Sequence, residues 1–124
     1  MVRGHVTRAY EAVVRVQVAG PSGAVADIEA AVDTGFTGDL TLPAALVTEL
    51  GLAFRDVADV RLAGDAPAQI PVYRAIVIWN GKPRAVFAHC MEGTPLIGMH
   101  LLYKHLLTVQ VVRDGAVTID PIAQ

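Results

Sequence analysis

Apolar and polar residues alternate along several short stretches of the chain, which is the pattern of half-buried β-strands. Residues 12–19 place Val14, Val16 and Val18 on one face. Residues 24–32 alternate in the same way after a Gly-Pro-Ser-Gly turn, so the two stretches are predicted to form a hairpin.

The second half of the chain repeats this organisation. Residues 70–79 and 82–91 are strand-like and are separated by an Asn-Gly dipeptide, a strong signal for a two-residue hairpin turn. A third hairpin is predicted between strands near 107–113 and 116–120, with an Asp-Gly dipeptide at its turn. Between the two halves, the sequence of residues 57–72 predicts either a hairpin with a polar tip or a mobile loop.

Two short helices are predicted among the strands. The first begins at Pro43, because proline favours a helix start, and runs to about Leu50, where Gly51 ends it. The second runs from about Met99 to Leu106. The fold class is therefore all-β with two short helices, and a length of 124 residues predicts one domain.

The motif that carries most chemical information lies at the end of the second predicted strand. Apolar residues deliver Asp33 into a turn made by Thr34 and Gly35. A rigid strand positions the acid, and glycine allows the backbone and a substrate to approach closely. An Asx-type turn that ends a strand explains the same residues without chemistry. The chain has one such turn, so a second carboxylate of the same kind would have to come from another copy.

The composition narrows the range of partners. Ten basic and twelve acidic residues give a net charge of −2, so the basic footprint of a nucleic-acid-binding protein is absent. The first residues lack the apolar core of a signal peptide, and no stretch reaches the roughly 18 apolar residues of a membrane-spanning helix. We therefore expect no nucleic acid partner, no membrane and a cytoplasmic location.

Other chemistries find little support in the sequence. A serine nucleophile is not supported, because the single serine, Ser22, lies in a Gly-Pro-Ser-Gly turn rather than in a nucleophile elbow. Cys90 has apolar neighbours, which are typical of a buried thiol. Asp27 and Glu29 alternate on a solvated strand face, and Asp39 is expected to be exposed beyond the turn. The four histidines lack the spacing of a zinc motif, so neither a metal nor a cofactor is expected.

Two motifs and the hairpin between them resemble the retropepsin-like (retroviral-type) aspartic peptidases, and more closely their small prokaryotic relatives of clan AA. They are Asp33-Thr34-Gly35, Leu96-Ile97-Gly98 at the start of the second helix, and the hairpin within residues 57–72. The match covers roughly residues 12–120. It implies a single retropepsin-like domain over residues 1–124, forming an acid protease half-barrel that works as a homodimer.

The resemblance also implies a mechanism. Each chain donates one Asp33, and the two carboxyls hold the water that attacks a peptide bond. Ionising both of two adjacent carboxyl groups is electrostatically unfavourable, so the pair shares a proton. Thr34 would lock the two turns together, Gly35 would let the turn close, and Leu96, Ile97 and Gly98 would support the turn.

An extended peptide or unfolded protein is the substrate that the resemblance implies, bound as an added strand. A flap would cover it, formed by Leu62, Ala63, Gly64, Asp65 and Ala66. In this family the terminal strands commonly form the dimer interface, for which residues 2–7 and 117–119 are the candidates.

Three departures from the family pattern are Phe36 after the turn, His100 at the second helix, and a flap with one glycine. Phe36 resembles a subfamily mark, since the prokaryotic relatives tolerate it. His100 and the flap leave an alternative open, a noncatalytic retropepsin-fold homodimer that acts as a peptide-binding or assembly module. The intact Asp33-Thr34-Gly35 turn favours the peptidase.

Overall fold

The computed structural model describes residues 1–61 and 63–123, which form a mostly β fold with two short helices. The sequence-based prediction of the fold class is confirmed at this level. The elements of the described residues are β1 (Val2–Val6), β2 (Ala12–Ala19), β3 (Val25–Val32), β4 (Leu40–Leu42), α1 (Ala44–Glu49), β5 (Ala53–Arg61), β6 (Pro67–Trp79), β7 (Lys82–Cys90), β8 (Leu96–Ile97), α2 (Met99–Leu102), β9 (His105–Val109) and β10 (Ala116–Pro121).

The strands form one sheet in the order β5-β6-β7-β4-β8-β3-β2-β1-β10-β9. An additional pairing between β6 and β2 curls this sheet back on itself. Most neighbours are antiparallel, but β3 pairs with β8 and β4 pairs with β7 in parallel. The short strand β8 therefore lies between β3 and β4, and the loop that joins β3 to β4 is held against it.

Local sequence signals explain the turns of the predicted hairpins. The turn between β6 and β7 has positive φ at both central residues, 53° at Asn80 and 78° at Gly81, as the Asn-Gly signal predicts. The predicted hairpin between the two halves is also present, as β5 and β6. Helix α1 follows Pro43 and ends before Gly51, whose φ of 60° suits glycine. Among the described residues no helix has the length and apolarity needed to cross a membrane.

The core fills the inside of the curled sheet with aliphatic side chains. The largest side chains with less than 2% exposure are those of Leu40, Leu42, Leu50, Ile97, Leu101, Ile119, Val14, Val18, Val77 and Val117. Each fully buried aliphatic side chain contributes about 1.5–3 kcal/mol through the hydrophobic effect. Leu40 begins β4, the strand that follows the Asp33 loop, and Ile97 lies on β8, which pairs with both β3 and β4. The core therefore fixes the strands that frame this loop.

The second helix is shorter than the sequence predicts. Helix α2 ends at Leu102, and Tyr103 is extended while Lys104 has a φ of 67°. The residues that follow pair with β10 as strand β9, with Leu106 opposite Asp120. Pairing with a distant strand therefore outweighs the local helical pattern. Strand β9 ends at Val109 rather than at residue 113, because residues 110–115 form a turn in which the N–H of Gly115 donates to the carbonyl of Val112.

The terminal strands pair with neighbouring strands within the chain. Strand β1 lies between β2 and β10, and β10 lies between β1 and β9. Residues 4–5 and 117–119 are paired on both edges, whereas Val2 and Arg3 pair with β10 alone. A dimer interface at residues 2–7 and 117–119 stays a prediction. Strands β5 and β9 end the sheet order in the described part of the chain.

Candidate active site

Strand β3 delivers Asp33 into the loop from a fully paired position. The strand lies between β2 and β8, with Val32 opposite Ile97. The backbone N–H of Asp33 donates to the carbonyl of Ile97 at 2.9 Å. The backbone that carries the carboxylate is therefore fixed from two sides.

The turn itself orients the carboxylate. The N–H of Gly35 donates to Asp33 Oδ1 at 2.9 Å, and the N–H of Phe36 donates to the carbonyl of Asp33 at 3.1 Å. This is the Asx-type geometry that the sequence allowed. Asp33 is half-buried, whereas Thr34 and Gly35 are exposed on the surface of the single chain. The turn thus presents a pre-oriented acid at an open face.

The second motif lies directly behind this turn. Ile97 is fully buried and pairs with both Val32 and Leu40, while the N–H of the half-buried Leu96 donates to Thr41 Oγ1 at 2.9 Å. A methyl group on Gly98 would lie 2.2 Å from the carbonyl oxygen of Gly38. The position therefore requires glycine for close backbone approach. The structure brings the two sequence motifs into contact.

Phe36, a departure from the family pattern, packs over the glycines of the loop. If either Gly38 or Gly98 carried a methyl group, that group would lie within 2.6 Å of an atom of the Phe36 ring. The ring also meets His89 of β7 edge-on, with a centroid distance of 5.4 Å. The two glycines make room for this ring, so Phe36 is part of the packing that holds the turn.

Asp39 is buried, which corrects the expectation that it is exposed. It is 5% exposed, and its Oδ2 accepts a hydrogen bond from the N–H of Phe87 at 3.0 Å. Its Oδ1 lies 2.6 Å from Nδ1 of His100, on the first turn of α2. Sequence reasoning missed this residue, although its position directly before the apolar residues of β4 was a signal of burial.

Burial lowers the pKa of the His89 imidazole, and the nearby Asp39 carboxylate opposes part of that effect. Among the described residues, Nδ1 of His89 has no hydrogen-bond partner. Burial also raises the pKa of the half-buried Cys90 thiol, with Glu92 adding to the effect. A raised pKa disfavours the reactive thiolate, so Cys90 is not a candidate nucleophile.

The predicted flap lies at the tip of the β5–β6 hairpin. Leu62 is outside the described residues, and residues 63–65 form a tight turn in which Gly64 has a φ of 79°. Arg61 Nε lies 3.7 Å from the carboxylate of Asp65, and both side chains are exposed. Ala66 is exposed and leads into β6. The tip is thus a polar turn at the end of the hairpin.

His100 and His105 serve as hydrogen-bonding partners within the fold. His105 accepts from the indole Nε1–H of Trp79 at 3.0 Å, and its Nδ1 lies 2.8 Å from the carbonyl of Tyr103. His100 contacts Asp39, as described above. In the described ranges no cluster of three His, Cys, Asp or Glu side chains is arranged to hold a metal ion.

The whole chain is similar in fold to a solved structure, the crystal structure of a retropepsin-like aspartic protease from Rickettsia conorii. The two share 16% sequence identity with a TM-score of 0.54, and the match covers 98% of this chain and 91% of that chain. At this identity the likeness shows the fold. No protein-family model and no curated protein matches the chain.

Proposed function

We propose that this chain is a homodimeric aspartic endopeptidase that hydrolyses peptide bonds with a water held between two Asp33 carboxyls, one from each copy. The observation that carries the proposal is the Asp33 turn, held by the bond from Gly35 to Oδ1 and by β8 behind it. The fold of the chain is similar to that of a retropepsin-like aspartic protease, which supports a peptidase role for this turn.

The chemistry requires the second copy. One carboxyl group alone cannot act as the base that activates the water and, at the same time, as the acid that polarises the substrate carbonyl. Two carboxyls in contact share a single proton, since two adjacent negative charges repel. The ionised member activates the water, and the protonated member polarises the carbonyl. The titration then belongs to the pair rather than to either Asp33.

A face beside the turn suits a second copy of the chain. The N–H of Met99 donates to the carbonyl of Phe36, and the Met99 side chain is 46% exposed. Tyr103 directly follows α2 and Leu106 lies on β9, and both are exposed, at 68% and 58%. Strand β9 ends the sheet order among the described residues, so it can pair with its symmetry mate. We infer that the dimer forms on this face, with Thr34 bridging the two turns.

An extended peptide or unfolded protein is the substrate class that this arrangement favours. Strand β5 ends the other side of the sheet order in the described ranges, and most of its side chains are exposed. Exposed apolar groups on this strand include Phe54 and Val57, at 59% and 46%. Such a strand can contact an extended chain through backbone hydrogen bonds and apolar side chains. Residues 62–66 would close over the bound peptide.

The test is cleavage of a denatured protein across pH values of about 4 to 7, with and without a pepstatin-type inhibitor. Asp33→Asn should abolish cleavage while the dimer persists in sedimentation. Asp27→Asn is the matched control, because Asp27 is an exposed carboxylate on the same strand. Unchanged cleavage by Asp33→Asn would refute the peptidase. A dimer that binds peptides without cutting them would support the noncatalytic binding or assembly module.

A further inference from the structure

We propose that Asp39 is a positioning residue for the Asp33 turn, and that His100 is the donor that completes its contacts. The loop of residues 33–39 is anchored at its start by β8 and at its end by the Asp39 carboxylate. The kinetic part of this inference rests on the proposed peptidase function, whereas the hydrogen-bonding part does not.

The Asp39 carboxylate joins three separate segments. It extends from the end of the Asp33 loop, and its two oxygens accept from Phe87 N–H on β7 and from His100 on α2. Backbone bonds reinforce the same junction, because the N–H of Gly98 donates to the carbonyl of Asp39 and the N–H of His100 donates to that of Gly38. A shift of this carboxylate therefore moves the loop relative to the strand that supports Asp33.

The site needs a carboxylate rather than an amide. The Asp39 side chain is 6% exposed, so both of its oxygens require donors, and the two donors come from Phe87 and His100. An asparagine has one acceptor oxygen and an NH₂ group. It can accept from Phe87 only by turning its NH₂ toward His100. Nδ1 of His100 would then have to accept rather than donate, so the neutral ring would carry its proton on Nε2.

Polar and charged side chains from two elements surround the carboxylate. His100 covers Asp39 from α2 with a side chain that is 69% exposed, and His89 lies near it on β7. Arg84, also on β7, donates to the carbonyls of His100 and Leu101. A carboxylate at position 39 offers one acceptor oxygen to Phe87 and the other to His100 at the same time.

The kinetic test compares kcat and KM for four proteins, each checked for folding by circular dichroism. His100→Asn keeps a donor, so its kcat should stay within about twofold of the wild type. His100→Leu removes the donor and should lower kcat about tenfold at unchanged KM, since small misplacements of catalytic groups slow chemistry. Asp39→Asn should also lower kcat at unchanged KM, because its amide cannot accept from both donors.

A wild-type kcat in both His100→Leu and Asp39→Asn would overturn the positioning role. Equal losses in His100→Asn and His100→Leu would also overturn it, because the donor would then be irrelevant. If the wild type cleaves nothing, the proposed function fails, and the hydrogen bond is tested by nitrogen NMR of the histidines. Neutral His100 should carry its proton on Nδ1 in the wild type and on Nε2 in Asp39→Asn. The same tautomer in both would refute the contact.

Discussion

Gly98 and Gly38 approach so closely that a methyl group on the first would lie 2.2 Å from the carbonyl oxygen of the second. The N–H of His100 donates to that same carbonyl at 3.1 Å, so the oxygen cannot move away without losing a hydrogen bond. This contact joins the Asp33 loop to the strand and helix behind it.

Gly98→Ala should therefore destabilise the fold by about 1–3 kcal/mol, because the new methyl group meets backbone rather than a movable side chain. Urea unfolding at neutral pH measures the change in the free energy of unfolding. Gly35→Ala is the control, since its methyl group would have Asp33 Oδ1 at 3.2 Å as its single close neighbour. Equal stability of Gly98→Ala and the wild type would contradict the close approach of the two segments.

Gly38→Ala should be rescued by a second substitution, unlike Gly98→Ala. A methyl group at Gly38 would meet the far end of the Phe36 ring at 2.5 Å and His89 at 3.2 Å. Removing the ring by Phe36→Ala relieves that clash, so the double variant should be more stable than the sum of the two single effects predicts. A double-mutant cycle in urea measures this coupling, and strict additivity would show that the ring lies elsewhere.

Stability should fall as the pH drops, in part because of His89. Burial lowers the pKa of this imidazole in the folded state, so the unfolded chain takes up its proton first as the solution is acidified. The unfolded state then binds more protons, and the free energy of unfolding decreases below the ordinary histidine pKa of about 6.5. His89→Gln should flatten this part of the profile. His5→Gln, at an exposed position on β1, should keep the wild-type slope.

The single tryptophan provides a probe of the β9 junction. Trp79 is 5% exposed, and its indole N–H donates to Nε2 of His105. His105→Leu should leave this buried donor unpaired and cost about 1–3 kcal/mol. Thermal unfolding measures the loss, and a shift in tryptophan emission reports the changed indole environment. Unchanged stability and emission would show that the bond contributes nothing.

Leu106→Glu should convert the proposed dimer into a monomer. The side chain is 58% exposed on β9, and a charge there would be buried without a partner when two copies meet. Sedimentation velocity gives the mass, and cleavage should disappear with the dimer, because one Asp33 is half of a site. Val25→Glu is the control, since Val25 is 53% exposed on β3. A dimeric Leu106→Glu protein would move the interface to another face.

Much of the fold is readable from local patterns. Alternation of apolar residues predicts β2 and β3, and positive φ at Asn80 and Gly81 follows from residue types that accept that conformation. The Asp33 turn is readable in the same way, since an aspartate two residues before a glycine can accept the glycine N–H. These features depend on residues within a few positions of one another, so the sequence contains the necessary information.

Contacts between distant segments determined the features that local patterns did not predict. Asp39 is buried because β7 and α2 supply its hydrogen-bond donors, 48 and 61 residues away along the chain. Helix α2 stops at Leu102 because the following residues gain a strand partner in β10. By itself the sequence determined strands such as β2 and β3, the hairpin turns and the acid in its turn, since propensity and side-chain period act locally. The tertiary structure alone decided which edges are covered and which polar groups meet, because those outcomes depend on the strand order of the folded sheet.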